Sequence, residues 1–259
     1  MSSEDNNRGA LVPSPSSDLL RSGATSLVRR GRQDLIAKAE AEQWRKQGVA
    51  HWQQREYGEA VECIRHALGL DPDRAELQFL LGAAYYRGDG VPERDYSQSA
   101  FWYRKAAEQG HTRAQFYLGV MCGSGDGLPQ NHKQAAEWFR KAAERGHARA
   151  QFNLGVKYDS GEGVPQDYEQ AAEWYRKAAE QGEFLAQFNL GVLYHSGLGV
   201  PQDYAEAVQW YRKAAERGDM TAANNLAVCY ERGLGVSRNF EEASYWYRKA
   251  AQNPQVDPE

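Results

Sequence analysis

The chain has 259 residues, of which 41% are hydrophobic and 25% charged, a composition typical of soluble proteins. The formal net charge of −4 argues against a general attraction to nucleic acid or anionic lipid. No run of about 18 apolar residues predicts insertion into a membrane. Three cysteines, Cys63, Cys122 and Cys229, form no disulfide pattern and favour a reducing, cytoplasmic location.

The two ends of the chain differ from its middle in composition. Residues 1–33 are rich in Ser, Pro, Gly and Asn and have no periodicity, which predicts a disordered tail. Residues 252–259 contain two prolines and are also predicted to be disordered. Residues 34–74 begin with a candidate capping residue, Asp34, and continue as a helix–turn–helix pattern.

From residue 75 to residue 251 one pattern of about 36 residues recurs five times, which predicts a stack of similar units. Each unit has two helical stretches. In the third unit Ala171, Trp174 and Tyr175 lie on one helical stripe with Ala178 and Ala179, so we expect the recurring tryptophan to be buried. The period is marked by Trp102, Trp138, Trp174, Trp210 and Trp246.

The turns of each unit carry strong signals for the ends of helices. In the third unit Pro165 stops the first helix, and Asp167 is a good N-cap with Gln170 three residues later to bond back to it. Gly182 can adopt the left-handed conformation that ends the second helix. The chain therefore encodes a helix–loop–helix unit at every repeat.

The recurring segments LG, Y, GxGVP, DY and WYRKAAExG resemble the Sel-one-like repeat (SLR) family, a branch of the tetratricopeptide superfamily. Trp44, Gly48 and Ala60 in residues 41–74 resemble the shorter tetratricopeptide unit. The resemblance implies an all-α, right-handed α-solenoid with one tetratricopeptide unit followed by five SLR units. It also implies an adaptor that binds other proteins.

One column of the first helix in each unit holds Tyr117, Asn153, Asn189 and Asn225. In tetratricopeptide proteins, which the chain resembles, this position lines a concave groove, where an amide can bond the main chain of a peptide. The alternative is that each Asn bonds a neighbouring turn and stabilises stacking. Further along the same helices the units diverge, which favours a role in partner selectivity; these positions are Lys157, Asp159, His195 and Glu231.

No motif for catalysis, cofactor binding or metal binding is present in the sequence, so we expect a non-enzyme without a cofactor. The leading hypothesis is a scaffold that binds a protein or peptide in the groove. Self-assembly into a structural array is the alternative. Arg–Lys pairs such as Arg176 and Lys177 could form an anion-binding ridge, or a solvated helix face with partners on the same helix.

Overall fold

The computed structural model describes the backbone of residues 15–251 and the side chains of residues 32–251. The described part consists of helices joined by short loops. Because the helices form recurring hairpins, the predicted all-α solenoid is confirmed. The helices are α1 (Pro15–Gln53), α2 (Tyr57–Leu70), α3 (Ala75–Arg87), α4 (Tyr96–Glu108), α5 (Thr112–Ser124), α6 (His132–Glu144), α7 (Ala148–Ser160), α8 (Tyr168–Glu180), α9 (Phe184–Ser196), α10 (Tyr204–Glu216), α11 (Met220–Arg232) and α12 (Phe240–Ala251).

The first compact unit ends at Arg74 and contains the hairpin of α1 and α2. Helix α1 begins at Pro15, so the sequence expectation of disorder is wrong for residues 15–33. Proline suits the first turn of a helix, and no later proline interrupts the segment that leads into the hairpin. The remainder of the two predicted tails, residues 1–14 and 252–259, lies outside the described residues.

The second unit begins at Ala75 and contains five hairpins, α3–α4 to α11–α12. The second helix of each hairpin also packs against the first helix of the next hairpin. Fully buried alanines such as Ala171 and Ala178 belong to the apolar cluster that α8 shares with its neighbouring helices, and their small side chains allow the helices to approach closely. Each hairpin therefore buries its apolar surface against its neighbours, as expected for a repeat array.

The predicted helix N-caps are confirmed, with one difference in detail. Asp167 Oδ1 accepts a hydrogen bond from the backbone N–H of Gln170 at 3.0 Å, and the equivalent bond occurs in the other four hairpins. The predicted return bond from the Gln170 side chain is replaced. The backbone N–H of Asp167 instead donates to the carbonyl oxygen of Tyr158, at 2.9 Å, so the cap fastens the loop to the preceding helix.

In the first four hairpins of the second unit the aromatic residue after the repeated tryptophan is deeply buried, whereas in the last hairpin Trp246 is buried and Tyr247 is half-buried. Tyr175 is fully buried and lies over Gly155, where a Cβ atom would meet its ring at 2.6 Å. Trp174 is only half-buried, so the expectation of a fully buried tryptophan column is wrong at this position. Trp174 lies at the edge of the apolar stripe, where Lys177 Nζ is 4.0 Å from its ring centroid.

The second glycine of four of the GxG loops, Gly127, Gly163, Gly199 and Gly235, lies against the backbone of the preceding hairpin and sets the distance between repeats. Gly199 has φ +67°, and a Cβ atom there would lie 2.2 Å from the carbonyl carbon of Tyr168 in the preceding hairpin. Gly235 is in the same relation to Tyr204. A glycine is required here both for its backbone conformation and for the close approach of two backbone segments from successive hairpins.

Candidate peptide-binding groove

The sequence-predicted groove column lies on the first helices of four successive hairpins, α5, α7, α9 and α11. Its members are all half-buried, so each side chain can contact both the protein and a ligand. Their neighbours differ from repeat to repeat. These differences follow from single substitutions on the adjacent helices. At some positions the column side chain contacts a polar group of the protein, and at others its polar atoms are free.

Asn189 is engaged by the protein itself. The hydroxyl of Tyr175 donates to Asp159 Oδ2 at 3.0 Å, and the Asn189 side chain makes a polar contact with the same hydroxyl that lowers the pKa of Tyr175. Burial, followed by the Asp159 carboxylate, raises the pKa of Tyr175. The hydroxyl therefore stays protonated and links three successive helices, α7, α8 and α9.

Asn225 makes the equivalent polar contact in the next repeat, with the hydroxyl of Tyr211. Burial raises the pKa of Tyr211 to about 12, although the contact with Asn225 lowers it. The position of Asp159 is taken here by His195, whose ring centroid lies 6.3 Å from that of Tyr211. In the last repeat Glu231 Oε2 accepts from the Tyr247 hydroxyl at 2.9 Å. Asp159 and Glu231 thus hold tyrosines, a role that the sequence pattern did not reveal.

Asn153 has a different environment, because the tyrosine of the preceding helix is replaced by Phe139. Phe139 has no hydroxyl group, and Gly123 stands where the three following repeats carry Asp159, His195 and Glu231. Among the residues that the structure describes, none forms a hydrogen bond with the Asn153 side chain. Its amide donor and acceptor are therefore available to a ligand.

Tyr117 continues the column on the other side of Asn153. Its ring is stacked on that of Tyr103, with centroids 5.4 Å apart and an interplanar angle of 12°. Tyr86 and Phe79 complete an aromatic cluster around it, at 6.2 and 6.1 Å. Tyr117 therefore offers a rigid aromatic surface next to the free amide.

Lys157 is not available in the way that the sequence suggested. Its side chain is only 12% exposed, and Nζ forms an ion pair with Glu162. The hydrogen bond from Lys157 lowers the pKa of the Glu162 carboxyl group, whose other oxygen lies 3.3 Å from His132 Nε2. Lys157 occupies a column that is apolar and buried in the other repeats, as Leu193 is. Its charge is therefore used to fix the loop.

Two residues that the sequence reasoning missed are Arg113 and Arg149. They lie four positions before Tyr117 and Asn153 and therefore on the same helix faces. Both are exposed, and within the described residues neither has a carboxylate partner. Their charges, after burial, lower the pKa of His147 between them. The sequence did contain a signal for them, because neither arginine has an acidic residue three or four positions away on its helix.

The repeated Arg–Lys pairs make contacts within the array. Arg140 and Arg176 each donate a hydrogen bond to the tyrosine hydroxyl of the following hairpin, at 2.7 and 2.9 Å. The lysines lie over the tryptophan rings of their own helices, as Lys141 does over Trp138 at 3.9 Å. These contacts favour a structural role for the pairs.

Some kinds of site are not found within the described residues. They contain no group of three or more His, Cys, Asp or Glu side chains that could hold a metal ion. None of the described helices is long and apolar enough to cross a membrane. The three cysteines are buried free thiols, and burial raises the pKa of each one, most for Cys229, to about 11.

Many proteins of known structure are similar to this chain, among them two that are about 35% identical to it. A Sel1 repeat protein from Oxalobacter formigenes is 36% identical with a TM-score of 0.74, and the match covers 82% of this chain and 86% of that one. The second is c5321, a protective antigen present in uropathogenic Escherichia coli strains that displays an SLR fold. It is 35% identical with a TM-score of 0.77. That match covers 86% of this chain and 48% of c5321, so this chain spans about half its length.

No curated protein is similar enough to the chain to count as a relative. The family model for the Sel1 repeat, however, matches five consecutive segments that correspond to the five hairpins of the second unit. They are residues 75–111, 112–147, 148–183, 185–219 and 221–254. Because these segments make up more than half of the sequence, the chain belongs to the Sel1 repeat family.

Proposed function

We propose that the chain is a non-catalytic scaffold that binds an extended, acidic polypeptide segment across α5 and α7, with Asn153 as its anchor. Sel1 repeat proteins typically serve as scaffolds for protein–protein interaction. The observation that carries the proposal is the free amide of Asn153, next to two equivalent amides that the protein itself engages.

The amide of Asn153 suits the main chain of a peptide, because it can donate to a carbonyl oxygen and accept from an N–H group. Such bonding requires no particular side chain in the ligand. Asn189 and Asn225 would have to give up their polar contacts with Tyr175 and Tyr211 before they could do the same. Of the three asparagines in the column, Asn153 alone is therefore the anchor for a peptide, and the other two act in stacking.

The charge of the partner follows from Arg113 and Arg149. Two exposed guanidinium groups without carboxylate partners favour a segment with acidic side chains. Tyr117, which occupies the column position of Asn153 in the preceding hairpin, provides an aromatic contact. Since the arginines are exposed, binding should weaken as the salt concentration rises.

The test uses a library of short capped peptides with and without acidic residues, measured by fluorescence anisotropy against the whole chain. The tightest peptide is then measured with Asn153→Ala and Phe139→Tyr. The tyrosine hydroxyl introduced at position 139 should occupy Asn153 as Tyr175 occupies Asn189, so both variants should bind about tenfold more weakly. Asn189→Ala is the matched control, which should lower stability and retain binding.

The proposal fails if Phe139→Tyr binds as tightly as the wild type, or if Asn189→Ala loses binding while it remains folded by circular dichroism. A preference for basic peptides would overturn the assignment of partner charge. Arg113→Ala and Arg149→Ala should each reduce both the affinity and its salt dependence.

A second candidate function, self-association, is favoured by one observation. Phe240 at the start of α12 is 57% exposed, whereas Tyr204, the equivalent residue of the preceding hairpin, is half-buried and its carbonyl is covered by Gly235. A second copy of the chain could cover Phe240 in the same way. Sedimentation equilibrium tests this, because a monomer at every concentration, for wild type and Phe240→Ser alike, rejects it.

A further inference from the structure

A row of buried glutamines joins successive hairpins. Each donates a hydrogen bond from Nε2 to an alanine carbonyl oxygen in the last turn of the preceding helix, at 3.0–3.1 Å. All are 5% exposed or less, so their side-chain oxygens also require a donor. The donor–acceptor pairs are Gln115 with Ala107, Gln151 with Ala143 and Gln187 with Ala179.

In two hairpins a second glutamine of the same hairpin supplies that donor. The C-cap residue of α8, Gln181, donates from Nε2 to Gln151 Oε1 at 2.7 Å. Gln109, at the end of α4, does the same for Gln78 Oε1 at 2.8 Å. In these hairpins the second helix ends with the letters EQG.

The two hairpins between and after them end with ERG, and the bond is lost. Arg145 donates instead to the carbonyl oxygen of Gly110 at 2.9 Å, and Arg217 donates to that of Gly182 at 2.6 Å. Within the described residues Gln115 Oε1 and Gln187 Oε1 are buried and accept no hydrogen bond. A single Gln-to-Arg difference thus decides whether a buried acceptor is satisfied.

The unsatisfied Gln115 lines a cavity of about 490 Å³ between α4, α5 and α6. Trp138 forms one wall, with Lys141 Nζ 3.9 Å from its ring centroid. The charged groups of the lining are two carboxylates and two cations, so it carries no net charge. They are Glu108, Glu144, Lys141 and Arg145.

We propose that this cavity binds a primary carboxamide group. Gln115 Oε1 requires a donor, which excludes a carboxylate or phosphate. The balanced charges around it give no preference for an ammonium or guanidinium ion. A carboxamide donates N–H to Gln115 Oε1, and its own oxygen can accept from Lys141 or Arg145. The same group occurs in Asn and Gln side chains of a polypeptide and in free small amides.

The cavity is separate from the peptide groove. Gln115 and Tyr117 are two positions apart on α5, about 200° around the helix, so they face opposite sides. The equivalent residues Gln187, Trp210, Lys213 and Arg217 recur two hairpins later. The carboxamide site therefore does not depend on the function proposed above.

The test follows the side-chain NH₂ signals of Gln115 and the indole N–H of Trp138 in ¹H–¹⁵N spectra of the whole chain. Propionamide should shift both signals in a saturable way, and propionate, which lacks the N–H group, should not. Free glutamine and N-acetylglutamine N-methylamide distinguish the sources, because tighter binding of the capped form indicates a polypeptide and tighter binding of free glutamine a small molecule.

The chain supplies its own control variants. Arg145→Gln should let the new side chain reach Gln115 as Gln181 reaches Gln151, which closes the site without unfolding the hairpin. Gln181→Arg should open a new site at Gln151. The proposal is overturned if propionamide shifts the Gln115 signal as strongly in Arg145→Gln as in the wild type. An equal response to propionate, no saturable response in the wild type, or no gain in Gln181→Arg also overturns it.

Discussion

Substitution of Gly199 by alanine tests the close contact that sets the spacing of the repeats. The added Cβ would lie 2.2 Å from the carbonyl carbon and oxygen of Tyr168, which are backbone atoms of the neighbouring hairpin and cannot rotate away. An alanine with φ near +67° also carries a strain of about 1–2 kcal/mol. Displacing the two hairpins adds an overpacking cost of about 1–3 kcal/mol. The expected loss of unfolding free energy is therefore about 2–5 kcal/mol.

Gly146→Ala is the matched control for this substitution. Gly146 has φ +84°, and nothing lies within 4 Å of the position that its Cβ would take. An alanine at this position therefore has the cost of backbone strain alone, about 1–2 kcal/mol. Urea unfolding of both variants, followed by circular dichroism, separates the two costs. If Gly199→Ala is no less stable than Gly146→Ala, the close contact does not determine the spacing of the repeats.

Three further predictions concern single side chains. Tyr175→Phe removes the hydroxyl between Asp159 and Asn189 and should lower the unfolding free energy by about 1–3 kcal/mol in urea titrations, whereas an unchanged midpoint would argue against that network. Trp174→Ala should cost less than the roughly 3–5 kcal/mol expected for Tyr175→Ala, because Trp174 is half-buried; equal thermal shifts would contradict this. His147 caps α7 in its neutral form, and burial lowers its pKa below 6.5. The stability that the neutral cap contributes is therefore fully present above pH 6.5 and is lost as the pH falls through the lowered pKa. His147→Asp should therefore give a flatter pH dependence of the melting temperature below pH 6.5 than the wild type.

Much of the fold could be predicted because its signals are local and repeated. The N-cap at Asp167 and the left-handed glycine at Gly182 depend on a few adjacent residues, and the structure confirms both. The helical stripe predicted the buried Tyr175 together with Trp174, but it could not rank the two. A difference of 100° around a helix decides which of them faces the neighbouring hairpin, and that depends on how the helices pack.

The sequence by itself determined the solenoid, the number of hairpins and the column that contains Asn153. Periodicity and end signals are properties of the chain alone, so no long-range information was required. Only the tertiary structure decided that Asn189 is engaged and Asn153 free, because the partner of each amide comes from a helix in another hairpin. The state of Gln115 also depends on tertiary structure, because its missing donor is determined by Arg145, which lies 30 positions later, at the end of the other helix of the same hairpin. The repeats have almost the same residues, but the contacts between helices determine which polar side chains are engaged and which are free in each copy.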